Sequence, residues 1–305
     1  MTMIKLLACV CLLESLPCVH AGDLIKDECF THAAANDVSN ALFRSGCEYA
    51  NLETTTLTEC IMMQCNSTSW MTIFGGSDAN YYNDAFTLNL KTNAWVQLST
   101  SGTAPSGRDS HSAIHYTDAS GTPFMTIFGG HAVDDFLVAD FTNDAFTLNL
   151  KTNAWTEVSN ASTPNAPSPR ASHSAIHWTD ASGTPLMAIF GGFGGSHSEL
   201  RENNAYTFNL MTHSWIQLST TGTAPSRRKE HSAIYTNASG TPFMIIFGGN
   251  EGLDQTGPGS HQLTNDAFTL NLLTNVWIQL STTGTAPLPI RLHTAIYYTD
   301  ASGTP

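Results

Sequence analysis

Histidine returns at 111, 173, 231 and 293, and His115 and His177 stand four residues beyond the first two. Imidazoles repeated at such intervals could hold a transition metal if the chain carried them round a common axis. The pattern breaks, however, because the second position is Tyr235 and Tyr297 in the other two copies. No nucleophile elbow, Walker loop, Rossmann fingerprint or His-Glu-x-x-His motif occurs either. No catalytic residue, metal or cofactor is therefore assigned. A different chemistry gathers in four short stretches: Tyr81 and Tyr82; Asp134, Asp135 and Phe136; Phe193, Glu199 and Arg201; Glu251 and Asp254. Aromatic platforms beside acidic acceptors suit a glycan or a basic protein surface. The enzymatic alternative is a carbohydrate-active enzyme, which would need two of these carboxylates about 5 to 10 Å apart across a sugar.

The elements that must position these residues are written four times. The string at 142 to 155, Thr-Asn-Asp-Ala-Phe-Thr-Leu-Asn-Leu-Lys-Thr-Asn-Ala-Trp, returns in altered form at 82 to 95, 202 to 215 and 264 to 277. Its tryptophans, Trp95, Trp155, Trp215 and Trp277, keep time with the pairs Gly75-Gly76, Gly129-Gly130, Gly191-Gly192 and Gly248-Gly249. Repeats of this length are supersecondary units that must stack to bury a core. In one unit the pattern predicts a strand over His111 to Thr117, a polar turn, and a second strand over Phe124 to Phe128 that Gly129-Gly130 stops. A third strand then runs from Ala145 to Leu150, and a fourth begins at Trp155. Four antiparallel strands, radially repeated, make a propeller blade. In such a blade the loop from strand two to three and the link to the next blade leave on one face. That loop is the part that varies, with 6, 12, 10 and 15 residues before Asn83, Asn143, Asn203 and Asn265. The four aromatic and acidic stretches all fall in it, which makes that face the predicted binding surface.

The units resemble kelch repeats. Gly-Gly follows the second strand four times, and a turn threonine precedes each tryptophan, from Thr92 to Trp95 through Thr274 to Trp277. Arg-x-x-His opens the innermost strand at Arg108/His111, Arg170/His173 and Arg228/His231, while the fourth copy reads Arg291-Leu292-His293. The resemblance covers residues 70 to 305 and implies an all-β propeller whose repeated histidine is a buried hydrogen-bonding residue. It implies a non-enzymatic binding module, with an unknown protein or glycan as partner. Galactose oxidase shares the propeller class, but its copper site needs a cysteine within the propeller, and none follows Cys65. The first unit begins at Trp70 without an innermost strand, and His293 to Thr299 supplies one without the rest. Either this strand closes a four-bladed ring, or the units belong to a larger one.

Residues 1 to 21 read as a secretory signal, with an apolar run from Leu6 to Leu13 and Val19-His20-Ala21 before the cut. Residues 22 to 69 then form a small segment with helical spacing over Asp23 to Arg44. It carries Cys29, Cys47, Cys60 and Cys65, which predict two disulfides of undetermined pairing. Sequons at Asn66, Asn160 and Asn237 agree with export. A net charge of −13 with twelve Lys and Arg argues against nucleic acid. The one basic cluster, Arg227-Arg228-Lys229, reads as a solvated loop, and no later apolar stretch is long enough to span a bilayer.

Overall fold

The structure is a computed structural model, and it describes residues 69–133, 139–194, 202–238, 240–253 and 261–298. The signal segment, the helical segment, the four cysteines and Asn66 lie outside the described residues. The unit beginning at Trp70 is a succession of antiparallel sheets. The second sheet runs, from its inner to its outer edge, through Ser112–Thr117, Pro123–Val133, Ala139–Asn149 and Ala154–Ser159. The third holds Ser174–Thr179, Pro185–Phe190, Ala205–Asn209 and Ser214–Gln217 in that order. The fourth holds Ser232–Thr236, Phe243–Leu253, His261–Asn271 and Val276–Gln279. The first sheet has three strands, Trp70–Phe74, Ala85–Asn89 and Ala94–Gln97. The second, third and fourth sheets have the strand order predicted for a blade, and among the described residues no helix could cross a membrane.

Sequence fixes each blade locally. The Asn before every outer turn (Asn89, Asn149, Asn209, Asn271) accepts backbone N–H bonds two and three residues on, an Asx turn that reverses the chain. The Gly-Gly pairs do not end the second strand everywhere. In blades two and four the ladder runs on to Val133 and Leu253, with a register shift after Phe128 and Phe247. Gly129 and Gly130, at φ of 63° and 107°, take the bulge that a side chain would forbid, and the strand continues beyond it.

The core lies between sheets rather than within them. Phe74 of the first blade packs with Met125, Ile127, Leu148 and Trp155 of the second, and the next two junctions repeat this with Trp215 and Trp277. Rings of Phe74 and Trp155, Phe128 and Trp215, and Phe190 and Trp277 stand 5.0, 4.7 and 5.0 Å apart. At the inner edge, Oγ of Ser112, Ser174 and Ser232 meets Nε2 of the next blade's His173, His231 and His293 at 2.7 to 2.8 Å. The kelch histidine is thus a junction residue. Burial, assisted by the Arg108 guanidinium, pushes the His111 imidazole down to about 4, and burial beside Arg228 takes His231 to about 3.

The matching arginines are fully buried. Arg108 donates to the carbonyls of Ser106 and Gly129 and pairs with Asp144 at 2.6 Å, and Arg228 repeats this with Asp266 at 2.6 Å. Arg170 has Asn204 in the carboxylate's place, at 2.9 Å. In the fourth copy the backbone shows that Ile290 takes the arginine's position. Gly249 N–H donates to its carbonyl just as Gly192 N–H donates to that of Arg228. Arg291 is therefore one residue past the framework slot and free for another role.

A second backbone device links the blades. Ser110, Ser172, Glu230 and Leu292 all have φ between 52° and 59°, and the last three each donate their N–H to the carbonyl of the one before.

One expectation at the end of the array is corrected, and of the two ways to complete the ring one finds no support. Residues 293–298 form no strand, because among the described residues no neighbouring strand stands beside them to complete a ladder. The inner edge of Trp70–Phe74 has no strand partner among the described residues, so closure of a four-bladed ring within the chain is not seen. Trp95 is 51% exposed, whereas Trp155, Trp215 and Trp277 are 1 to 2% exposed, because among the described residues no preceding blade packs against Trp95.

Candidate recognition face

The corner after each Gly-Gly places one residue at the mouth of the array: Ser77, His131, Phe193 and Asn250. Backbone pairing holds these corners in register, Asp109 opposite His131, Ala171 opposite Phe193 and Lys229 opposite Asn250. Asp109, His131, Phe193 and Lys229 reach the side of the variable loops, whereas Ala171 and Asn250 are fully buried beneath it.

Side chains on this face form one connected row. Tyr81 Oη lies 2.7 Å from His131 Nδ1, with the rings crossed at 70°. The His131 ring stands 5.3 Å from Phe141, and Phe141 meets Phe193 edge-on at 5.0 Å. Lys229 Nζ sits 3.8 Å above the centre of the Phe193 ring and 3.1 Å from Glu230, which Arg291 grips from the other side at 2.8 Å. Burial alone would raise the Glu230 carboxyl, but the hydrogen bonds from Lys229 and Arg291 outweigh it and hold that group below its ordinary range. The row crosses every junction from the first blade to the segment after the fourth. Its residues are half-buried, with one edge packed and one edge wet.

The other described candidates stand as follows. Tyr82 is exposed and donates to Asp78 at 2.9 Å; the Asn80 N–H and this hydroxyl lower the Asp78 carboxyl. Glu251 accepts from buried Arg228 at 2.8 Å and from the Ser226 hydroxyl, so its charge is already committed. Asp109 is bound by Ser77 at 2.5 Å. Asp134, Asp135, Phe136, Glu199, Arg201 and Asp254 lie outside the described residues. Asn160 and Asn237 are both exposed.

Sequence reasoning placed Tyr81, His131, Phe141 and Phe193 in the variable loops but not in contact with one another. The cluster Arg227-Arg228-Lys229 is not a uniformly solvated loop: Arg228 is fully buried and Lys229 caps an aromatic ring, while Arg227 is exposed. The signal was present in the Arg-x-x-His spacing, which assigns Arg228 to the interior and sends its neighbour to the face.

The opposite face has a hollow of about 370 Å³ between the second and third blades, lined by Thr117, Asp118, His177, Thr179, Ser182 and Met211. Its polar groups mostly serve their own turns, Asp118 accepting from Ser120 and Thr122, and Asp180 from Ser182. Among the described residues no three His, Cys, Asp or Glu side chains converge as a metal site.

The Attractin/LZTR1 β-propeller family matches residues 70–302, the whole run of blades. The chain belongs to this family. This Attractin/LZTR1-type propeller is 29% identical to human host cell factor 2 over 240 residues, 74% of this chain and 27% of that protein. It is 29% identical to Kelch domain-containing protein 3 of Bos taurus over 220 residues, 68% of this chain and 50% of that protein. The leucine-zipper-like transcriptional regulator 1 homolog of Drosophila melanogaster is 29% identical over 220 residues, 70% of this chain and 20% of its own. The propeller thus spans half or less of the relatives it matches.

Proposed function

We propose that this chain is a non-enzymatic module that binds a protein through the face bearing the loops between second and third strands. The supporting observation is the continuous row from Tyr81 through His131, Phe141, Phe193 and Lys229 to Glu230 and Arg291. Pre-packed rings give contact area at small entropic cost, and the charges at one end select what may approach. The described carboxylates nearby are held by protein partners, which favours recognition over acid–base work. By sequence, Asp134, Asp135, Phe136, Glu199, Arg201 and Asp254 extend the same loops and belong to the proposed surface.

Binding screens on the purified chain, against secreted proteins and against arrayed glycans, test this reading. Phe193→Ala with Lys229→Ala should abolish capture of a partner while the melting temperature stays close to the parent. Capture of glycans alone would replace the protein partner with a carbohydrate, and turnover of an arrayed sugar would make the chain an enzyme. We also propose that the chain is exported and carries disulfides among Cys29, Cys47, Cys60 and Cys65. The exposure of Asn160 and Asn237 supports glycans there. Expression in eukaryotic cells should give secreted, glycosidase-sensitive material, and retention without a mass shift would end this part of the proposal.

A further inference from the structure

The link from the second blade to the third differs from its sisters in length and composition. Five residues separate Ser99 from Pro105 and Ser219 from Pro225, with Gly102 and Gly222 among them; seven, none of them glycine, separate Ser159 from Pro167. In the short links, Ser101-Gly102 and Thr221-Gly222 pair in parallel with the next outer strand, at Ala154-Trp155 and Val276-Trp277. That approach needs glycine, because a Cβ on Gly102 or Gly222 would collide with the tryptophan carbonyl. The longer link makes no such pair, and the outer strand Ser214–Gln217 has no partner on that edge among the described residues.

The third blade is left with unused acceptors. The Asn153 and Trp155 carbonyls accept from Ser101 and Thr103 N–H, and those of Asn275 and Trp277 from Thr221 and Thr223, at 3.0 to 3.2 Å. His213 and Trp215 are the counterparts, and among the described residues no link N–H reaches their carbonyls. Between link and strand lies a hollow of about 360 Å³, lined by Asn165, Ala166, Tyr206, Trp215, Ile216 and Gln217.

The link folds on itself beside an exposed sequon. A register shift sets Ser159 opposite Ala145 while Glu157 stays opposite Phe146, and Ser159 is buried where Ser99 and Ser219 are exposed. Its hydroxyl accepts from the Trp215 indole N–H at 2.9 Å. Asn160 follows, and its Oδ1 accepts from the Ser162 N–H at 3.0 Å, an Asx turn that uses the oxygen and not the amide nitrogen. Thr163 N–H donates to the Asn160 carbonyl and Ala166 N–H to that of Thr163. Two successive turns, each holding its ends within about 7 Å, thus join the sequon to the wall of the hollow.

We propose, resting on the glycosylation already inferred for Asn160, that the first N-acetylglucosamine units of that glycan lie in this hollow and close the third blade's outer edge. Sugar hydroxyls and the acetamido N–H are donors, the kind of group that the His213 and Trp215 carbonyls lack. Ile216, 60% exposed, offers an apolar plate to one face of the sugar ring. Covalent attachment makes the contact intramolecular, so individually weak bonds suffice. Asn237, exposed in the turn between Ser232–Thr236 and Phe243–Leu253, serves as the control.

The test uses the full chain from eukaryotic cells, with glycopeptide mass spectrometry reading each sequon. Under native conditions an endoglycosidase should trim Asn160 at least about tenfold more slowly than Asn237, and at the same rate after denaturation. Ile216→Ser should bring Asn160 up to the Asn237 rate. The same substitution should lower the melting temperature more in the glycosylated chain than in Ser162→Ala, which removes the sequon and keeps Asn160. A glycosylated Asn160 trimmed as fast as Asn237 overturns the proposal and leaves the glycosylation standing, with water alone in the hollow. Slow trimming that Ile216→Ser does not change overturns it as well. An Asn160 that carries no sugar overturns both readings.

Discussion

His173 Nε2 lies 2.7 Å from the hydroxyl of Ser112, one blade away and 61 residues earlier in the chain. That contact recurs at 2.8 Å between Ser174 and His231. It makes the repeated imidazole a rivet between sheets rather than a ligand. A buried imidazole of this kind has a cost that depends on pH.

In the folded chain burial lowers His111 to about 4 and His231 to about 3, from an ordinary 6.5, so the unfolded chain binds protons first as pH falls. Stability from these neutral imidazoles is complete above 6.5 and is lost as pH drops toward 4. The loss steepens toward about 1.4 kcal/mol per pH unit for each of them. Urea unfolding at pH 7, 6, 5 and 4 reads this, and His231→Gln should flatten the curve. An unchanged slope in that variant would remove His231 from the account.

Arg170 is as deeply buried as its sister arginines but faces the Asn204 amide instead of a carboxylate. Asn204→Asp should therefore stabilise the chain by about 1 kcal/mol, the difference between a neutral and a charge-assisted bond. Asp266→Asn, which uncouples Arg228 from its partner at 2.6 Å, should destabilise it by at least as much. Denaturant midpoints decide both, and a fall in stability for Asn204→Asp would refute the argument.

Trp215 and Trp95 occupy the same place in the repeat and differ in whether a blade among the described residues packs on them. Trp215→Ala should cost about 3 to 5 kcal/mol, and Trp95→Ala less than about 1 kcal/mol in dilute solution. Equal costs in calorimetry would mean that Trp95 is packed after all.

Gly130 and Gly121 both have positive φ, but only Gly130 is crowded: an added Cβ would stand 2.6 Å from the Asp109 carbonyl. Gly121→Ala should cost about 1 kcal/mol from backbone strain alone. Gly130→Ala should cost well over that, and it should also weaken partner binding, because the corner it distorts carries His131. Thermal melts together with the binding screen separate the two effects.

The repeat made the blades and their order legible, because Gly-Gly, the Asx turn and the tryptophan each have a backbone or packing reason to recur. Lys229 was not legible as a ring cap, since three consecutive cations look like solvent-facing charge until Arg228 is taken inside. Ile290 was equally hidden. An apolar residue can replace the framework arginine without any change in the backbone bonds that hold its position, so Arg291 looked like the arginine of a shifted motif. The strand predicted from His293 depended on a neighbour, and alternation of side chains cannot supply one.

The head-to-tail bonds through Ser110, Ser172, Glu230 and Leu292 use only main-chain N–H and carbonyl groups. The spacing of blades at the mouth is consequently indifferent to which side chain stands there, and two serines, a glutamate and a leucine hold it equally. Mechanical pitch and surface chemistry are thereby uncoupled. The rim works as a socket set, in which each blade can be given a new contact residue without retuning its neighbours.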